Sequence, residues 1–128
     1  MPLVWLSLIT DCEKTTPKRT RASSFTWYPK NHFEIKKSIR ELVVFSKHNI
    51  ISDSPFLRTD FVSCRNMLIY FNSTLQKRFF PIVHYSLKDG GVLTLGKSET
   101  IGEHYDLFLT TSKTLKIYKS QFTGIKEL

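Results

Sequence analysis

The sequence predicts an open α/β sheet that is mostly parallel and ends in an antiparallel hairpin. Apolar runs of strand character occupy residues 39–46, 60–64 and 91–96, and an amphipathic helix pattern lies between the last two. Two further short apolar runs follow toward the carboxyl terminus. Apolar strands joined by a helix are typical of parallel pairing with a right-handed crossover. The 128 residues, 41% of them hydrophobic, suffice for one modest core.

The first two predicted strands differ in length and are separated by a loop. Residues 39–46 contain the run LVVF without alternation, which is typical of a strand buried on both faces. The following HNIISDSPF is rich in turn residues and predicts a loop. Residues 60–64, DFVSC, form the second strand, in which we expect Cys64 to be a buried thiol.

A helix is predicted after the second strand. Ser73 and Gln76 form a capping-box pattern, and Asn72 is an alternative N-cap. Apolar residues then recur at helical spacing until DGG at residues 89–91, which predicts a glycine stop. Pro81 conflicts with this pattern, since proline inside a helix removes a hydrogen bond. We therefore expect a kink or a fresh helical turn near it.

The remaining elements are strands. GVLTLG at residues 91–96 predicts a third strand of the sheet. DLFLTT and TLKIYK, separated by Ser112 and Lys113, predict a closing antiparallel pair.

Arg65 and Asn66 interrupt an otherwise apolar neighbourhood, SCRNMLIYF. An arginine is almost never fully buried unless it is paired. Residues 47–50, 65–66 and 96–99 each follow a predicted strand, and ligands of open α/β sheets bind outside the carboxyl ends of the strands. The pattern therefore places Arg65 and Asn66 at the rim of a ligand site.

Each candidate also has a structural interpretation. Arg65 would form an ion pair with Asp60 or Glu99, and Glu99 itself is most simply structural. Tyr70 would be a core aromatic with a satisfied hydroxyl, and Asn49 would be a turn residue. These alternatives remain open at the level of sequence.

Charge and cysteine content restrict the functional class. The net charge of +8 suits an acidic partner or a solvated basic surface, and no dense Lys/Arg block identifies a nucleic-acid partner. Cys12 and Cys64 lie far apart, which indicates a reducing, cytoplasmic setting. The four histidines lack metal-ligand spacing, so no metal site is expected.

Residues 1–24 are interpreted as an extension or linker of unclear origin. Their apolar start, MPLVWLSLIT, is too short to span a bilayer and has no preceding Lys or Arg, as a secretory signal requires. We expect no membrane insertion. The folded domain is predicted to occupy residues 25–128.

Three segments, taken together, resemble the CheR-type methyltransferases: IRELVVFSKHNIISDSPF, RTDFVSCRNMLIYFNSTLQKR and HYSLKDGGVLTLGKSET. The resemblance covers about residues 25–119. These enzymes methylate glutamate side chains of chemotaxis receptors or related signalling proteins with S-adenosylmethionine, releasing S-adenosylhomocysteine. The resemblance implies a Rossmann-like catalytic domain, of which this chain is similar to the carboxyl-terminal half.

The resemblance also implies roles for individual residues. Asn49 and Ile50 correspond to a pair near the adenine, Arg65 and Asn66 lie along the cofactor, and Tyr70 approaches the transferred methyl group. The chemistry suits these residue types, because a glutamate is already ionised at neutral pH and its methylation needs no general base. Arg65 and Tyr70 are therefore the predicted catalytic residues, which orient the carboxylate.

Other features of the family are missing from this sequence. The family carries a glycine-containing loop after its first strand and an acidic ribose ligand after its second, whereas no glycine precedes Gly90 here. We therefore expect the chain alone to bind the cofactor weakly or not at all, and a second polypeptide to supply the missing half. Residues 25–40 resemble part of the small antiparallel subdomain that docks onto receptors, where acidic segments would be the partners.

Two alternatives belong to other functional classes. The chain would be a non-catalytic half-Rossmann binding or dimerisation module, associating through an exposed sheet edge. A basic nucleic-acid binder is permitted by the charge but supported by no motif.

Overall fold

The computed structural model describes residues 8–9, 25–28 and 32–124. The chain divides into two compact units, a smaller one of Ser7–Ser46 and a larger one that takes in Lys47–Leu128. Most of residues 1–24, including Cys12, lie outside the described residues, and the predicted domain boundary at residue 25 stays a prediction.

In its described residues, the smaller unit contains two short antiparallel pairs. Strand β1, Leu8–Ile9, pairs with β4, Val43–Val44. Strand β2, Phe25–Tyr28, pairs with β3, His32–Ile35, and the one-turn helix α1, Lys37–Arg40, follows. The antiparallel character expected for residues 25–40 is therefore present in β2 and β3.

The prediction of a doubly buried strand at residues 39–46 is wrong. The segment begins in α1, and only its two central valines are extended. Val44 is 65% exposed and Phe45 is 73% exposed. A continuous apolar run becomes a buried strand only where neighbouring elements cover it, and the described ladder partner here is a strand of two residues.

The larger unit is built on a four-stranded sheet. Its strands are β5, Thr59–Cys64, β6, Leu87–Leu95, β7, Phe108–Ser112, and β8, Ile117–Ser120, in the spatial order β5-β6-β8-β7. The β5–β6 pair is parallel, while β8 is antiparallel to both β6 and β7. The predicted α/β class, with parallel pairing and a terminal antiparallel hairpin, is confirmed.

Helix α2, Ser73–Ser86, connects β5 to β6 and supplies one side of the core. Phe79, Phe80 and Val83 are almost completely buried. Pro81 lies inside this single helix, and the missing hydrogen bond costs about 3 kcal/mol in a helix interior. Burial of each large apolar side chain contributes about 1.5–3 kcal/mol, so packing around the proline offsets that cost.

The N-terminal cap of α2 is Asn72, the alternative to the capping box. Its Oδ1 accepts a hydrogen bond from the Leu75 N–H at 2.9 Å. Gln76 does not complete a capping box, because its Nε2 donates to the carbonyl oxygens of Leu68, at 3.2 Å, and Phe71, at 3.1 Å. Gln76 therefore holds the chain that precedes the helix.

The predicted glycine stop at residues 89–91 is wrong. Helix α2 ends at Ser86 and β6 begins at the next residue, Leu87, which is in register with Thr59 of β5. The Thr59 hydroxyl donates to the Ser86 carbonyl at 2.9 Å. The glycines instead form an irregularity in β6, where the register shifts relative to β5. Gly90 has a φ of 76°, which favours glycine.

Strand β5 is one edge of the described sheet. Phe61 on this strand is exposed, and it is in register with Val92, which is in register with Lys119. Side chains alternate along a strand, so this row lies on the face opposite to the buried Val62 and Cys64. Among the described residues, no helix has the length and apolar character needed to cross a membrane.

The cap assignment generates a prediction. Asn72→Ala should lower the free energy of unfolding by about 1 kcal/mol, because the Leu75 N–H loses its acceptor. Urea denaturation followed by circular dichroism measures this change. Ser73→Ala is the matched control and should change stability by less than about 0.5 kcal/mol. A larger loss in Ser73→Ala than in Asn72→Ala would contradict the assignment.

Candidate functional site

The candidate site is formed where the chain leaves β5. Cys64 is the last buried residue of the strand, and both Arg65 and Asn66 are exposed. Asn66 has a φ of 59°, a left-handed conformation that asparagine tolerates better than most residues. The chain then enters a 3₁₀ turn, Leu68–Tyr70. The charge and the amide in the apolar run therefore mark the point at which the backbone turns out of the core.

Glu99 joins this turn to the loop that follows β6. Its side chain is buried, with 4% of its surface exposed. Oε2 accepts hydrogen bonds from the Gly96 N–H at 2.7 Å and the Asn66 N–H at 3.1 Å, and Oε1 accepts from the Leu68 N–H at 2.8 Å. Hydrogen bonds to a charged group contribute about 1.5–3 kcal/mol each. The ends of the two parallel strands are thus connected through one carboxylate.

Gly96 is required by the closeness of this contact. A Cβ at residue 96 would lie 2.6 Å from Asn66 Oδ1, 2.8 Å from Glu99 Oε2 and 3.0 Å from the Asn66 nitrogen. Real Cβ atoms do not approach other atoms so closely, so any larger residue would displace the Asn66 side chain and the Glu99 carboxylate. Glycine at residue 96 therefore allows the backbone after β6 to approach Asn66 closely.

Arg65 has no ion-pair partner among the described residues. Of the two carboxylates considered from sequence, Asp60 forms a 2.8 Å ion pair with Lys88, and Glu99 is occupied by backbone N–H groups. The ion pair expected under the structural interpretation of Arg65 is therefore not present among the described residues. An exposed guanidinium without a partner is available to bind an anionic group.

Asn49 lies in a separate turn that is closed by several hydrogen bonds. Its Oδ1 accepts from the Ile51 N–H at 3.0 Å and the Ser52 N–H at 3.3 Å, and its own N–H donates to Asp53 Oδ2 at 2.7 Å. The side chain thus fills the turn role foreseen from sequence, while its amide NH₂ makes no hydrogen bond within residues 32–124. Ile50 is buried in the core, and within that range no hydrogen bond joins this turn to Asn66.

Tyr70 is not a core aromatic. It is 68% exposed and lies at the end of the 3₁₀ turn, where its backbone N–H donates to the Met67 carbonyl at 3.1 Å. The structure thus leaves both Arg65 and Tyr70 accessible on the same short segment. It also joins the Asn66 N–H to the Glu99 carboxylate, a contact that the sequence did not predict.

Cys64 and His84 are packed in the core. Burial, and secondarily the negative charge of Glu99, raises the pKa of the Cys64 thiol to about 12, as expected for a buried thiol. His84 is a packed histidine whose Nε2 lies 2.7 Å from the Gln121 carbonyl oxygen. In the part of the chain that the structure describes, no group of His, Cys, Asp and Glu side chains could hold a metal ion.

Comparison with known proteins gives a consistent family. Residues 10–117 match the family described as "CheR methyltransferase, SAM binding domain". A Rhodobacter capsulatus protein, "Uncharacterized 104.1 kDa protein in hypE 3'region", is 40% identical over 96 residues, which cover 75% of this chain and 10% of that protein. Two proteins named for methyltransferases also match, and each is covered to 28% of its length. They are "Chemotaxis protein methyltransferase Cher2" of Pseudomonas putida, 38% identical over 57% of this chain, and "Chemotaxis protein methyltransferase 1" of Pseudomonas aeruginosa, 36% identical over 57% of this chain.

The raised pKa of Cys64 generates a prediction. In a Cys12→Ser background, alkylation by iodoacetamide at pH 8.5 should be at least about 100-fold slower in the native protein than in urea, because little thiolate exists below a pKa of about 12. Mass spectrometry of timed samples measures the rate. Folding raises this pKa from 9.0, so the free energy of unfolding includes a contribution from the protonated thiol. That contribution is fully present below pH 9 and is lost as the pH rises toward 12. Equal native and unfolded rates would show that Cys64 is accessible.

Proposed function

Because the chain belongs to the CheR methyltransferase family, we propose that its larger unit is the carboxyl-terminal part of an S-adenosylmethionine-dependent site that methylates glutamate carboxylates. The observation that carries this proposal is the Arg65–Asn66 turn, held by Glu99 at the carboxyl ends of β5 and β6. Ligands of open α/β sheets bind outside the carboxyl ends of the strands. The chain spans less than a third of the relatives named above, so the activity of the whole protein is part of the proposal.

We propose that Asn66, at the carboxyl end of β5, and the separate turn of Asn49 and Ile50 supply polar and apolar groups to the cofactor. Asn66 carries an exposed amide against the Gly96 backbone, a position that a Cβ would fill. Asn49 keeps its NH₂ for an acceptor such as an adenine edge, and Ile50 anchors that turn in the core. We assign Asn49, Ile50, Arg65 and Asn66 to cofactor binding on this basis.

Arg65 and Tyr70 are proposed as the catalytic residues. S-adenosylmethionine supplies a methyl group on a positively charged sulfonium. The acceptor glutamate is already ionised at neutral pH, so the protein has to orient it rather than deprotonate it. Arg65, exposed and without an ion-pair partner among the described residues, can bind a carboxylate through two hydrogen bonds, and the exposed Tyr70 hydroxyl can set its direction.

The protein substrate is proposed to be an acidic segment of a chemoreceptor or a related signalling protein. The net charge of +8 favours association with acidic segments, because it attracts them before contact. The antiparallel pair of β2 and β3 supports the assignment of residues 25–40 to a receptor-docking subdomain.

A binding module is the second candidate, and one observation favours it. The edge of β5 is unpaired among the described strands, and the exposed Phe61 lies on that strand. Unpaired sheet edges invite association with another strand. A second polypeptide that supplies the glycine-containing loop would convert this module into the proposed enzyme, whereas dimerisation without cofactor binding would favour the module.

The isolated chain is expected to bind S-adenosylhomocysteine only weakly, because residues 1–89 contain no glycine for close approach to the nucleotide. Isothermal titration of the 128-residue chain should show no binding at micromolar concentrations. Co-expression with a polypeptide carrying a glycine loop should restore binding. Micromolar affinity of the chain alone would refute this expectation.

The role of Arg65 is testable in a hybrid enzyme. Residues 47–120 of this chain would replace the aligned segment of the Pseudomonas aeruginosa relative, and transfer of a tritiated methyl group to receptor glutamates would be measured. Arg65→Ala should lower kcat/KM about 10- to 150-fold, the equivalent of losing about 1.5–3 kcal/mol of charge-assisted hydrogen bonding.

Arg78→Ala is the matched control, since it removes an exposed arginine of α2 that is not assigned to the proposed site. It should leave kcat/KM within about twofold. Equal effects of the two substitutions, or an inactive hybrid that still folds, would argue against the proposed site.

A further inference from the structure

We propose that Glu99 is a positioning residue, which holds the segment bearing Arg65 and Tyr70 in one conformation by binding three backbone N–H groups from two loops. The inference deepens the proposed function and rests on it for the roles of Arg65 and Tyr70. The hydrogen bonds themselves are properties of the chain and can be measured without cofactor or substrate.

The Glu99 carboxylate accepts hydrogen bonds from both loops. Glu99 belongs to the turn after β6, where its own N–H donates to the Gly96 carbonyl at 3.0 Å while its Oε2 accepts the Gly96 N–H at 2.7 Å. The same Oε2, together with Oε1, then reaches across to the N–H groups of Asn66 and Leu68.

Only a carboxylate satisfies all three donors. Each of its oxygens accepts, whereas a glutamine at residue 99 would have one accepting oxygen and an NH₂ group that faces N–H donors. No Lys, Arg or His among the described residues lies within ion-pair distance of Glu99, and within this part of the chain its carboxylate is stabilised by the three N–H groups. Burying a charged carboxylate is costly. In some proteins a buried charge is retained because it fixes one conformation, and this is the role proposed here for Glu99.

The segment between these contacts carries both proposed catalytic residues. Arg65 lies between the buried Cys64 and the bound N–H of Asn66, so its backbone is held on both sides. Tyr70 lies between the Leu68 N–H, bound by Glu99, and the Phe71 carbonyl, which accepts from Gln76 Nε2. Glu99 therefore controls the amino-terminal end of this segment, and Gln76 controls the carboxyl-terminal end.

The test uses the full ¹⁵N-labelled chain and its Glu99→Gln variant. We expect amide hydrogen exchange to become at least about tenfold faster at the N–H groups that face the new NH₂, which are Leu68 or the pair Asn66 and Gly96 according to the orientation of the amide. The Leu95 N–H, which donates to the Lys116 carbonyl in the sheet, should change by less than about twofold. Backbone order parameters at Arg65 and Tyr70 should fall from about 0.85 to below about 0.6.

Glu103→Gln is the matched control, because Glu103 is an exposed glutamate in the same loop region. It should leave all of these values unchanged. Equal acceleration at Leu95 and at the amides that face the new NH₂, or unchanged order parameters in folded Glu99→Gln, would overturn the positioning role and leave Glu99 as a general stabiliser.

The wild-type chain provides a measurement that does not depend on the variant folding. The Asn66 amide, although it belongs to an exposed residue, should exchange at least about 100-fold more slowly than an unbonded amide. Free exchange at Asn66 would overturn the proposal. If the amides behave as expected but the hybrid enzyme transfers no methyl group, the proposed function fails while Glu99 still holds the turn.

Discussion

The buried carboxylate of Glu99 is the interaction on which the candidate site depends. Two neighbouring parallel strands, β5 and β6, end in loops that are joined through this one side chain. The loops meet because one side chain accepts the Asn66, Leu68 and Gly96 N–H groups, and because residue 96 has no side chain to separate them. Each of these backbone donors would otherwise need water or another partner, since unpaired buried N–H groups are costly.

This arrangement also explains the state of the nearby charges. A carboxylate at Glu99 that is already bound by backbone N–H groups does not need Arg65, and Asp60 pairs with Lys88 on the sheet. The guanidinium of Arg65 is consequently left exposed next to the turn. The anion that organises the backbone and the cation proposed to bind a ligand are therefore different groups with different surroundings, one buried and one in solvent.

Local sequence signals predicted the elements well where neighbouring residues decide the outcome. The strand at DFVSC, the helix over residues 73–86 and the terminal hairpin all form. The errors occurred where the outcome depends on partners distant in sequence. LVVF is mostly exposed, and its described partner strand has only two residues. The helix ends before DGG, where Leu87 pairs with Thr59 of β5. Gln76 matched a capping box, but its side chain donates to the Leu68 carbonyl in the preceding turn. The capping-box spacing does not predict this contact.

The sequence by itself determined the α/β class, the exit of Arg65 and Asn66 from the core, and the resemblance that led to the family. These features depend on periodicity and on the cost of burying charge, both of which are local. The tertiary structure alone decided what Glu99 binds and why residue 96 is glycine. Both depend on the approach of two backbones 30 residues apart in sequence, 66 to 96, and only the folded arrangement of β5 and β6 brings them together.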